Sequence, residues 1–393
     1  MTVIIDPKKI EQVLRKNVEA IYPDFESLKK RMMAGKKIRL YCGFDPSSPF
    51  LHLGNMAIFK KMAEFQALGH EVIMLIGDFT GMIGDPTDKK AARKKLTREE
   101  VVKNSKNYKN IAGKILNFKG NNPAKILYNS KWLDRISFKE LIELASNFTV
   151  QQMIVRDMFQ ERMKEKKPIY LHEFLYPLAQ AYDSVAMSVD LEIGGSDQIF
   201  NMLCGRDLLK IMKNKEKFVL GLKLLTDENG KKMGKTEGNA MSITDQPEEL
   251  RRKIMLMEDS FINPVFIACT DVSLEEIKGL NPISAKERLA DTIIAMIYGK
   301  ARAEKTKKEF NRVFIEKKLP SEIDTAKIED KNLNILDLLV KTKLVSNKSE
   351  AKRLVLQKGI KIAGEIQDDW KKNIEIKKGL VIQAGKGKFI KIV

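Results

Sequence analysis

The chain has 393 residues, 43% of them hydrophobic, which suffices for two or three domains with sizeable cores. Its net charge of +19 indicates either a polyanionic partner or a lysine-rich composition that keeps the protein soluble. The sequence contains no apolar run long enough to span a membrane, and its first residues lack the apolar stretch of a secretory signal. The three cysteines are widely spaced, which argues against a disulfide or zinc framework, so we expect a cytoplasmic protein.

The amino-terminal part reads as alternating helices and buried strands. Residues 1 to 35 have helical spacing, RLYCGFD at 39 to 45 reads as a buried strand, and residues 53 to 68 read as a helix. HEVIMLIGDFTGMIGDP, from residue 70, begins with a second buried strand. A strand, a helix and a strand in close succession, without strict alternation of apolar residues, predict a βαβ unit in a parallel sheet.

The central part contains a second crossing of the same kind. A basic segment at 89 to 118 turns helical, and residues 125 to 165 continue with helical spacing. DLEIGGSDQIFNM, from residue 190, reads as a strand, a Gly-Gly turn and a helix. LKLLTDENGKKMGKTEG, from residue 222, reads as a strand followed by a basic loop.

The carboxyl-terminal part changes in composition. Residues 245 to 316 have helical spacing, and residues 317 to 332 are polar without clear period, as in a linker. Residues 332 to 393 hold 14 Lys and Arg against 6 Asp and Glu, and they read as two short helices and a hairpin with Gly364 at its turn. Trp370 is predicted to pack in the core of this small module. Positive charge concentrated in one small module indicates a polyanionic partner more strongly than a net positive charge spread over the whole chain.

HLGN, at 52 to 55, places a histidine, a glycine and an asparagine where a strand passes into a helix. The first backbone N–H groups of a helix bind phosphates, and a glycine lets a nucleotide lie against the backbone. His52 and Asn55 can each donate a hydrogen bond to such a phosphate. On this stretch alone, an ordinary turn with a packed histidine remains an open alternative.

KKMGKT, at 231 to 236, carries lysines on both sides of a Met-Gly pair in a loop after a strand. Ammonium groups on a loop can follow the charge that develops on a triphosphate during reaction. The loop lacks the spacing of a Walker A motif. Alone it would read as a solvated surface loop, but together with HLGN it predicts a nucleotide site.

YPLAQAYD, at 176 to 183, places Tyr176, Gln180 and Asp183 at positions i, i+4 and i+7, so that one helical face presents all three side chains. An acid on such a face can receive an ammonium group or accept a hydroxyl proton. A partly polar face that is solvated or capped by its neighbours is the alternative.

HLGN and KMGKT resemble the two signature motifs of the class I aminoacyl-tRNA synthetases. YCGFDP, TGMIGDP, YPLAQAYD and GGSDQ narrow the resemblance to the bacterial-type tyrosyl-tRNA synthetases, and LVSNKSEAKRLVLQKGIKIAG is similar to the S4 RNA-binding module appended to them. The resemblance covers nearly the whole chain in the right order. Asn55 departs from it, because many members have histidine there; asparagine keeps an N–H donor but carries no charge. Asparagine is common there in the tryptophanyl relatives, which lack the GDP and Tyr-x-x-x-Gln-x-x-Asp signatures and the S4 module.

The resemblance implies an α/β fold with a Rossmann-like, parallel-sheet catalytic domain at residues 1–222 and a helical insert at about 98–175. It further implies the KMGKT loop with an α-helical anticodon-side domain at 223–318, a linker at 319–331 and a small α+β S4 RNA-binding domain at 332–393.

The implied reaction activates L-tyrosine with ATP to tyrosyl-adenylate and pyrophosphate, and then transfers tyrosine to the terminal adenosine of tRNA(Tyr). Mg²⁺ would accompany ATP without a dedicated protein metal site, and the enzyme would be a homodimer. A site that hydrogen-bonds the phenol rejects phenylalanine, for which this enzyme family is the standard example, so no editing domain is expected.

The resemblance also implies a role for each matching residue. Tyr41 and Asp183 would bind the phenol, with Asn129 at the pocket's periphery; the α-amino group would contact Asp85, Tyr176, Gln180 and Gln198. The phosphates would contact His52, Asn55, Lys232, Lys235 and Thr236. The rest of ATP or the adenylate would contact Gly43, Asp45, Gly54, Gly195, Asp197, Leu224 and Leu225. Lys89 and Arg93 would close over pyrophosphate unless their run is a solvated helix face, and RNA would contact Lys352, Arg353 and Lys358.

Two other functions are weighed against this one. A non-catalytic RNA-binding relative would have no need of phosphate-binding lysines. A different ATP-dependent adenylating ligase would exchange pyrophosphate with another amino acid.

Overall fold

The structure is a computed structural model that describes residues 2–87, 96–227, 230, 233, 240–385 and 387–393. The chain forms two compact units, Met1–Lys300 and Ala301–Val393. Among the described residues, no helix combines the length and apolar character needed to cross a membrane.

The first unit alternates strands and helices. Its strands, in chain order, are β1 Val18–Tyr22, β2 Arg39–Phe44, β3 Glu71–Ile76, β4 Lys125–Tyr128, β5 Leu191–Gly195 and β6 Phe218–Leu222. Its helices are α1 Pro7–Arg15, α2 Phe25–Met33, α3 Leu53–Ala67, α4 Thr80–Ile83, α5 Arg98–Ser105, α6 Tyr108–Ala112, α7 Ser130–Leu133, α8 Phe138–Ala145, α9 Val150–Ile154, α10 Asp157–Lys164, α11 Leu171–Met187, α12 Ile199–Lys213, α13 Pro247–Leu256, α14 Ile262–Cys269, α15 Leu274–Ile277 and α16 Pro282–Tyr298. Short 3₁₀ turns lie at Ser196–Gln198 and Asp259–Phe261.

The described strands of this unit form one six-stranded sheet in the order β1-β6-β5-β2-β3-β4. All neighbours are parallel except β1, which runs antiparallel to β6. The chain order reverses between β5 and β2, and open parallel sheets bind ligands at the carboxyl ends of the strands beside such a reversal. In the β2–β5 ladder Tyr41 is aligned with Glu192.

Two short strands correct the prediction. β1 lies within residues 1 to 35, and β4 within residues 125 to 165, both of which were expected to be helical. Each strand has five residues or fewer, too few to show a period, and each sits at an edge of the sheet. Hydrogen bonding to the neighbouring strand outweighs the local conformational propensity of these residues and makes them extended.

A buried ion pair fixes the start of α11, the helix that carries the YPLAQAYD motif. Arg162 Nη1 and Nη2 donate to Glu173 Oε2 and Oε1 at 2.6 and 2.8 Å, and both side chains are buried. Glu173 Oε1 also accepts from the Tyr170 N–H at 2.9 Å, which caps the helix. The buried face of α11 then packs with α12 around Leu178, Ala181 and Leu208.

The second unit is a small α+β module. Its elements are α17 Lys300–Phe310, which begins at the boundary, a π-helical turn at Asn311–Ile315, β7 Asp324–Ala326, β8 Asn332–Asn334, α18 Ile335–Lys341, α19 Lys348–Leu356, β9 Ile360–Ile362, β10 Glu365–Gln367, β11 Asn373–Glu375, β12 Val381–Ala384 and β13 Lys388–Ile392. Its described strands form a sheet in the order β10-β9-β12-β13-β7 and a ribbon of β11 with β8. The hairpin predicted at Gly364 is present between β9 and β10, and Trp370 packs, partly buried, against the apolar core.

The predicted fold class is confirmed: a parallel-sheet α/β region, a helical region and a small α+β module follow one another along the chain. One detail differs, because β7 lies inside the predicted linker at 319–331 and pairs in parallel with β13. A three-residue strand leaves no visible period in a polar segment.

Candidate active site

A cleft of about 700 Å³ opens at the carboxyl ends of β2, β3, β5 and β6. It is lined by every described residue that the sequence assigned to the amino acid or the nucleotide: Tyr41, Gly43, Asp45, His52, Gly54, Asn55, Asp85, Asn129, Tyr176, Gln180, Asp183, Gly195, Asp197, Gln198, Leu224 and Leu225. Five other predicted residues lie outside the described residues: Lys89, Arg93, Lys232, Lys235 and Thr236.

The HLGN turn caps α3. His52 Nδ1 accepts from the Gly54 N–H at 3.1 Å, and Asn55 Oδ1 accepts from the His52 N–H at 3.0 Å. Because Nδ1 is the acceptor, a neutral His52 carries its hydrogen on Nε2. The amide oxygen of Asn55 is engaged in the cap, which leaves its NH₂ group as the donor. In the sequence, Asn55 stands where many members of the similar family have histidine. The structure gives Asn55 a helix-capping role that the sequence reasoning missed.

Described residues that flank the KMGKT lysines in sequence lie against the HLGN turn. The Leu53 N–H donates to the Met241 carbonyl at 3.1 Å, and the Ile243 N–H donates to the Leu51 carbonyl at 2.9 Å. The Met233 N–H donates to the Leu225 carbonyl at 2.7 Å, and the Met233 side chain is buried. The chain that follows KMGKT in sequence, at residues 241–243, therefore lies against the HLGN turn at one edge of the cleft.

Asp183 lies buried at the base of the cleft. Its Oδ1 accepts from Trp132 Nε1 at 2.7 Å, and its Oδ2 accepts from Asn129 Nδ2 at 3.3 Å. Burial raises the pKa of Asp183 well above its ordinary value, the nearby Glu192 carboxylate adds to this, and the two hydrogen bonds oppose it. Asn129, expected at the periphery of the pocket, thus contacts the acid directly.

A second carboxylate, Asp85, lies between three donors. Its Oδ2 accepts from Gln198 Nε2 at 2.8 Å, and its Oδ1 accepts from the backbone N–H and the hydroxyl of Thr87 at 2.9 and 2.6 Å. The carboxylate is therefore held at a fixed orientation in the cleft, where it can receive a cationic group.

Asp45 joins the two halves of the cleft. Its Oδ1 accepts from Thr80 Oγ1 at 2.6 Å, and its Oδ2 accepts from Tyr176 Oη at 2.9 Å. Tyr176 belongs to α11, on the side of the cleft that the sequence assigns to the amino acid and that is called the amino-acid side below. Asp45 follows β2, on the side that the sequence assigns to ATP and that is called the nucleotide side below.

Two glycines shape the nucleotide side. A Cβ built on Gly43 would meet nothing within 4 Å, so the backbone here is open to a ligand. A Cβ on Gly195 would lie 2.5 Å from Asp197 Oδ1 and 3.0 Å from Leu224 Cδ2. Gly195 therefore makes room for the two side chains beside it.

Three buried polar side chains under the cleft were missed by the sequence reasoning. Lys217 forms a salt bridge with Glu192, and Lys217 Nζ donates to Ser184 Oγ at 2.8 Å. All three side chains are at least 98% buried. The signal was available in LEIGG, where a glutamate interrupts an otherwise apolar strand, since a buried carboxylate requires a partner.

The predicted RNA-binding residues lie together in the second unit. Lys352 and Arg353 are on α19, Lys358 follows its end, and all three are exposed. Lys352 Nζ lies 4.1 Å from the centre of the Trp370 ring, and Lys371 Nζ lies 5.2 Å from it. Trp370 therefore has a core-packing role and also holds two ammonium groups near the surface.

Two family models match the chain. Residues 33–315 match the model described as tRNA synthetases class I (W and Y), and residues 315–392 match the tyrosine–tRNA ligase SYY-like C-terminal domain. The tyrosine–tRNA ligase of Aquifex aeolicus is 39% identical over an alignment of 394 positions that covers 98% of this chain and 99% of that protein. The tyrosine–tRNA ligase of Thermotoga maritima is 41% identical over an alignment of 396 positions that covers 98% of each chain.

Solved structures resemble the fold. The C-terminally truncated mitochondrial tyrosyl-tRNA synthetase of Aspergillus nidulans has a TM-score of 0.66 at 21% identity, covering 78% of this chain and 94% of its own. The Archaeoglobus fulgidus tyrosyl-tRNA synthetase complexed with L-tyrosine has a TM-score of 0.59 at 22% identity, covering 77% of this chain and 99% of its own. At these identities the likeness is one of fold.

Proposed function

The chain belongs to the class I tRNA synthetases for tryptophan and tyrosine, and we propose that it is a tyrosine–tRNA ligase. It activates L-tyrosine with ATP and transfers the tyrosyl group to the terminal adenosine of tRNA(Tyr). Within the family, the observation that selects tyrosine is the pair of buried polar side chains, Tyr41 and Asp183, in the cleft. A phenol hydroxyl can form a hydrogen bond with each of them, whereas a purely apolar side chain would displace water from them and offer no hydrogen bond in return.

The amino-acid side of the cleft binds tyrosine at the two polar ends of the substrate, the phenol hydroxyl and the α-ammonium group. Tyr41 and Asp183 contact the phenol, and Asn129 holds the carboxylate of Asp183 in place. Asp85 receives the α-ammonium, and Gln198, which donates to Asp85 at 2.8 Å, orients it. Tyr176 and Gln180 complete the set around the amino group. The carboxylate of tyrosine then points toward the nucleotide side.

The first step is an in-line attack of the tyrosine carboxylate on the α-phosphorus of ATP, which forms a C–O–P linkage and expels pyrophosphate. No protein nucleophile is required, because catalysis consists of positioning and charge stabilisation. His52 through Nε2–H and Asn55 through its NH₂ group donate to the phosphates, and Gly54 lets them approach the helix N-terminus. The lysines and the threonine of KMGKT, namely Lys232, Lys235 and Thr236, hold the departing pyrophosphate.

The remainder of ATP lies over the strand ends. Gly43 offers open backbone, Asp45 faces the adenylate, Gly195 and Asp197 hold the ribose, and the adenine packs between Leu224 and Leu225. Lys89 and Arg93 close over the pyrophosphate. Mg²⁺ enters with ATP and shields its phosphate charge; the described residues contain no group of three or more acidic, histidine or cysteine side chains arranged for a metal ion.

In the second step a ribose hydroxyl of the terminal adenosine attacks the acyl carbon and releases AMP. The basic module binds the tRNA backbone through Lys352, Arg353 and Lys358, all of them exposed. Phosphate contacts of this kind track shape with little sequence readout.

The protein works as a cytoplasmic homodimer. Several large apolar side chains of the predicted insert and the start of α11 are exposed in the single chain, including Phe138 at 79%, Val150 at 69% and Leu171 at 82%. Exposed apolar side chains at this density support an interface between two copies. Sedimentation of the purified protein tests this.

A tyrosine-dependent ATP–pyrophosphate exchange assay tests the function. The expected result is exchange that requires tyrosine and is not supported by phenylalanine or tryptophan. Exchange with a different amino acid would indicate another adenylating ligase. Absence of exchange from pure, folded protein that still binds tRNA would indicate a non-catalytic RNA-binding relative.

A further inference from the structure

Gln180, which the sequence assigns to the α-amino group, donates a hydrogen bond to a buried carboxylate. Its Nε2 lies 3.0 Å from Glu192 Oε1. Gln180 is half-buried on α11 and lines the cleft, whereas Glu192 lies on β5 and is only 2% exposed. One of the two polar atoms of the Gln180 amide is therefore committed to a group inside the protein.

An ion pair holds that carboxylate in place. Glu192 forms a salt bridge with Lys217, which has no exposed surface and also donates to Ser184 Oγ at 2.8 Å. A Cβ built on Gly205 of α12 would lie 2.6 Å from Lys217 Nζ, so this helix closes directly over the ammonium group. An opposite charge in contact favours the ionised form, so Glu192 is a carboxylate that only accepts hydrogen bonds.

The charge of Glu192 fixes which way the Gln180 amide is turned. A carboxylate has no hydrogen to donate, so the amide must point its NH₂ group at Glu192. The amide oxygen, on the other branch of the planar group, is then directed away from Glu192. Of the described residues, none donates a hydrogen bond to this oxygen, so it is available to a ligand in the cleft.

A second acceptor, Asp85, lines the same cleft and is held by Thr87 and Gln198. The Gln198 amide is itself oriented, because Asn201 Nδ2 donates to Gln198 Oε1 at 3.1 Å and leaves the NH₂ group for Asp85. The α-ammonium group of an amino acid has three N–H donors and no acceptor, so its site requires acceptors. A carboxylate and an amide oxygen, each held by the protein, meet that requirement.

We propose that Glu192, paired with Lys217, is a positioning residue that orients the Gln180 amide so that its oxygen accepts a hydrogen bond from the α-ammonium group of the substrate. The inference rests on the proposed function, since it concerns the amino end of tyrosine in that site. Glu192 acts through Gln180, and the ion pair thereby helps the site to select an amino acid over the same molecule without its amino group.

Equilibrium binding of tyrosine and of 3-(4-hydroxyphenyl)propanoate, which is tyrosine without its amino group, tests the inference. The dissociation constant of the analogue divided by that of tyrosine measures what the ammonium group contributes. Glu192→Met/Lys217→Met removes both charges together, so that no unpaired charge is buried. This ratio is expected to fall by roughly 10-fold, the effect of one hydrogen bond to a charged group, while the analogue binds as it does to the wild type.

A cycle with Gln180→Met shows whether the ion pair acts through Gln180. Gln180→Met alone should lower the ratio by a similar factor, and its addition to Glu192→Met/Lys217→Met should lower the ratio no further. Additive falls would mean that the ion pair acts on the ammonium group independently of Gln180, which overturns the positioning role.

Two further variants control for folding. Leu191→Met, at the adjacent buried position of β5, is the matched control and leaves the ratio unchanged. Glu192→Gln is nearly isosteric, and because Lys217 takes the new amide oxygen, the new NH₂ group turns toward Gln180 and reverses the Gln180 amide. The ratio then falls at least as far, so this variant carries the test if thermal unfolding shows that Glu192→Met/Lys217→Met is not folded.

The outcomes separate the two levels of the proposal. An unchanged ratio in folded Glu192→Met/Lys217→Met or Glu192→Gln, with tyrosine-dependent pyrophosphate exchange in the wild type, overturns the positioning role and leaves the ligase function standing. Equal weakening of tyrosine and of the analogue is such a case, because it shows a purely structural role for the ion pair. A wild type without tyrosine-dependent exchange overturns the proposed function and this inference with it.

Discussion

Tyr176 Oη donates a hydrogen bond to Asp45 Oδ2 at 2.9 Å, and this contact joins the helix of the amino-acid side to the strand end of the nucleotide side. Under the proposed function, this phenol orients the carboxylate that would face the adenylate, and it would also line the site of the α-amino group. Tyr176 would then serve both substrates of the first step.

Tyr176→Phe is expected to raise the Michaelis constants of both tyrosine and ATP, each by roughly 10-fold, because one hydrogen bond to a charged group is lost. Steady-state pyrophosphate exchange with each substrate varied in turn measures both. Tyr182→Phe, a partly buried tyrosine on the same helix, is the matched control and should behave as the wild type. A change in the tyrosine constant alone would show that Asp45 does not depend on Tyr176.

Lys235→Ala is expected to slow adenylate formation by roughly 100-fold while weakening tyrosine binding little, because the KMGKT loop acts mainly on the charge of the transition state. Single-turnover formation of the adenylate gives the first quantity, and equilibrium binding of tyrosine gives the second. Equal losses in both would indicate that the lysine has a structural role in the loop.

Five residues show how much of the site could be predicted from the sequence. Asp183 and Gln180 could be placed on one helical face, because helical spacing is periodic. Asn55 could be located but not explained, since its capping bond to the His52 N–H depends on the local backbone of the turn. The pairing of Lys217 with Glu192 joins residues 25 positions apart through the packing of β5 and β6, and no local pattern encodes that distance.

The fold likewise divides into elements that the local sequence pattern predicts and elements that depend on contacts distant in sequence. β2 and β3 are buried on both faces and read clearly as apolar runs, whereas β1 and β4 are short edge strands whose conformation is decided by the neighbouring strand. The strand β7 was hidden in a polar segment for the same reason.

Replacing Lys352, Arg353 and Lys358 together by glutamate is expected to spare pyrophosphate exchange and to impair charging of tRNA(Tyr). The three side chains are exposed, so their replacement leaves the core of the second unit intact. The salt dependence of tRNA binding should become shallower by about one unit of slope for each lost phosphate contact. Deletion of residues 332–393 should likewise spare adenylate formation, and normal charging by either variant near physiological salt would assign the module another role.

His70 is expected to make the protein less stable in mild acid. Burial lowers the pKa of His70 to about 4, and its Nδ1 accepts from the Ile38 N–H at 3.3 Å. The unfolded chain takes up this proton near pH 6.5, so stability is full above that pH and falls as the pH drops toward 4. The loss amounts to ~3 kcal/mol over the whole window. Urea unfolding of the wild type and His70→Gln at pH 7 and pH 5 measures it, and an equal fall in both proteins would assign the effect to other groups.

Gly43→Ala is expected to separate ATP binding from folding. The strand position accepts alanine, because a Cβ there meets nothing within 4 Å, so thermal stability should remain within the error of the wild type. The methyl group would instead project into the space that the nucleotide occupies, and the Michaelis constant for ATP should rise by roughly 10-fold or more while tyrosine binding is retained. Gly195→Ala is the matched contrast, because its Cβ would lie 2.5 Å from Asp197 Oδ1 and displace that side chain even without ligand. Normal ATP kinetics in Gly43→Ala would mean that the nucleotide does not approach this stretch of backbone.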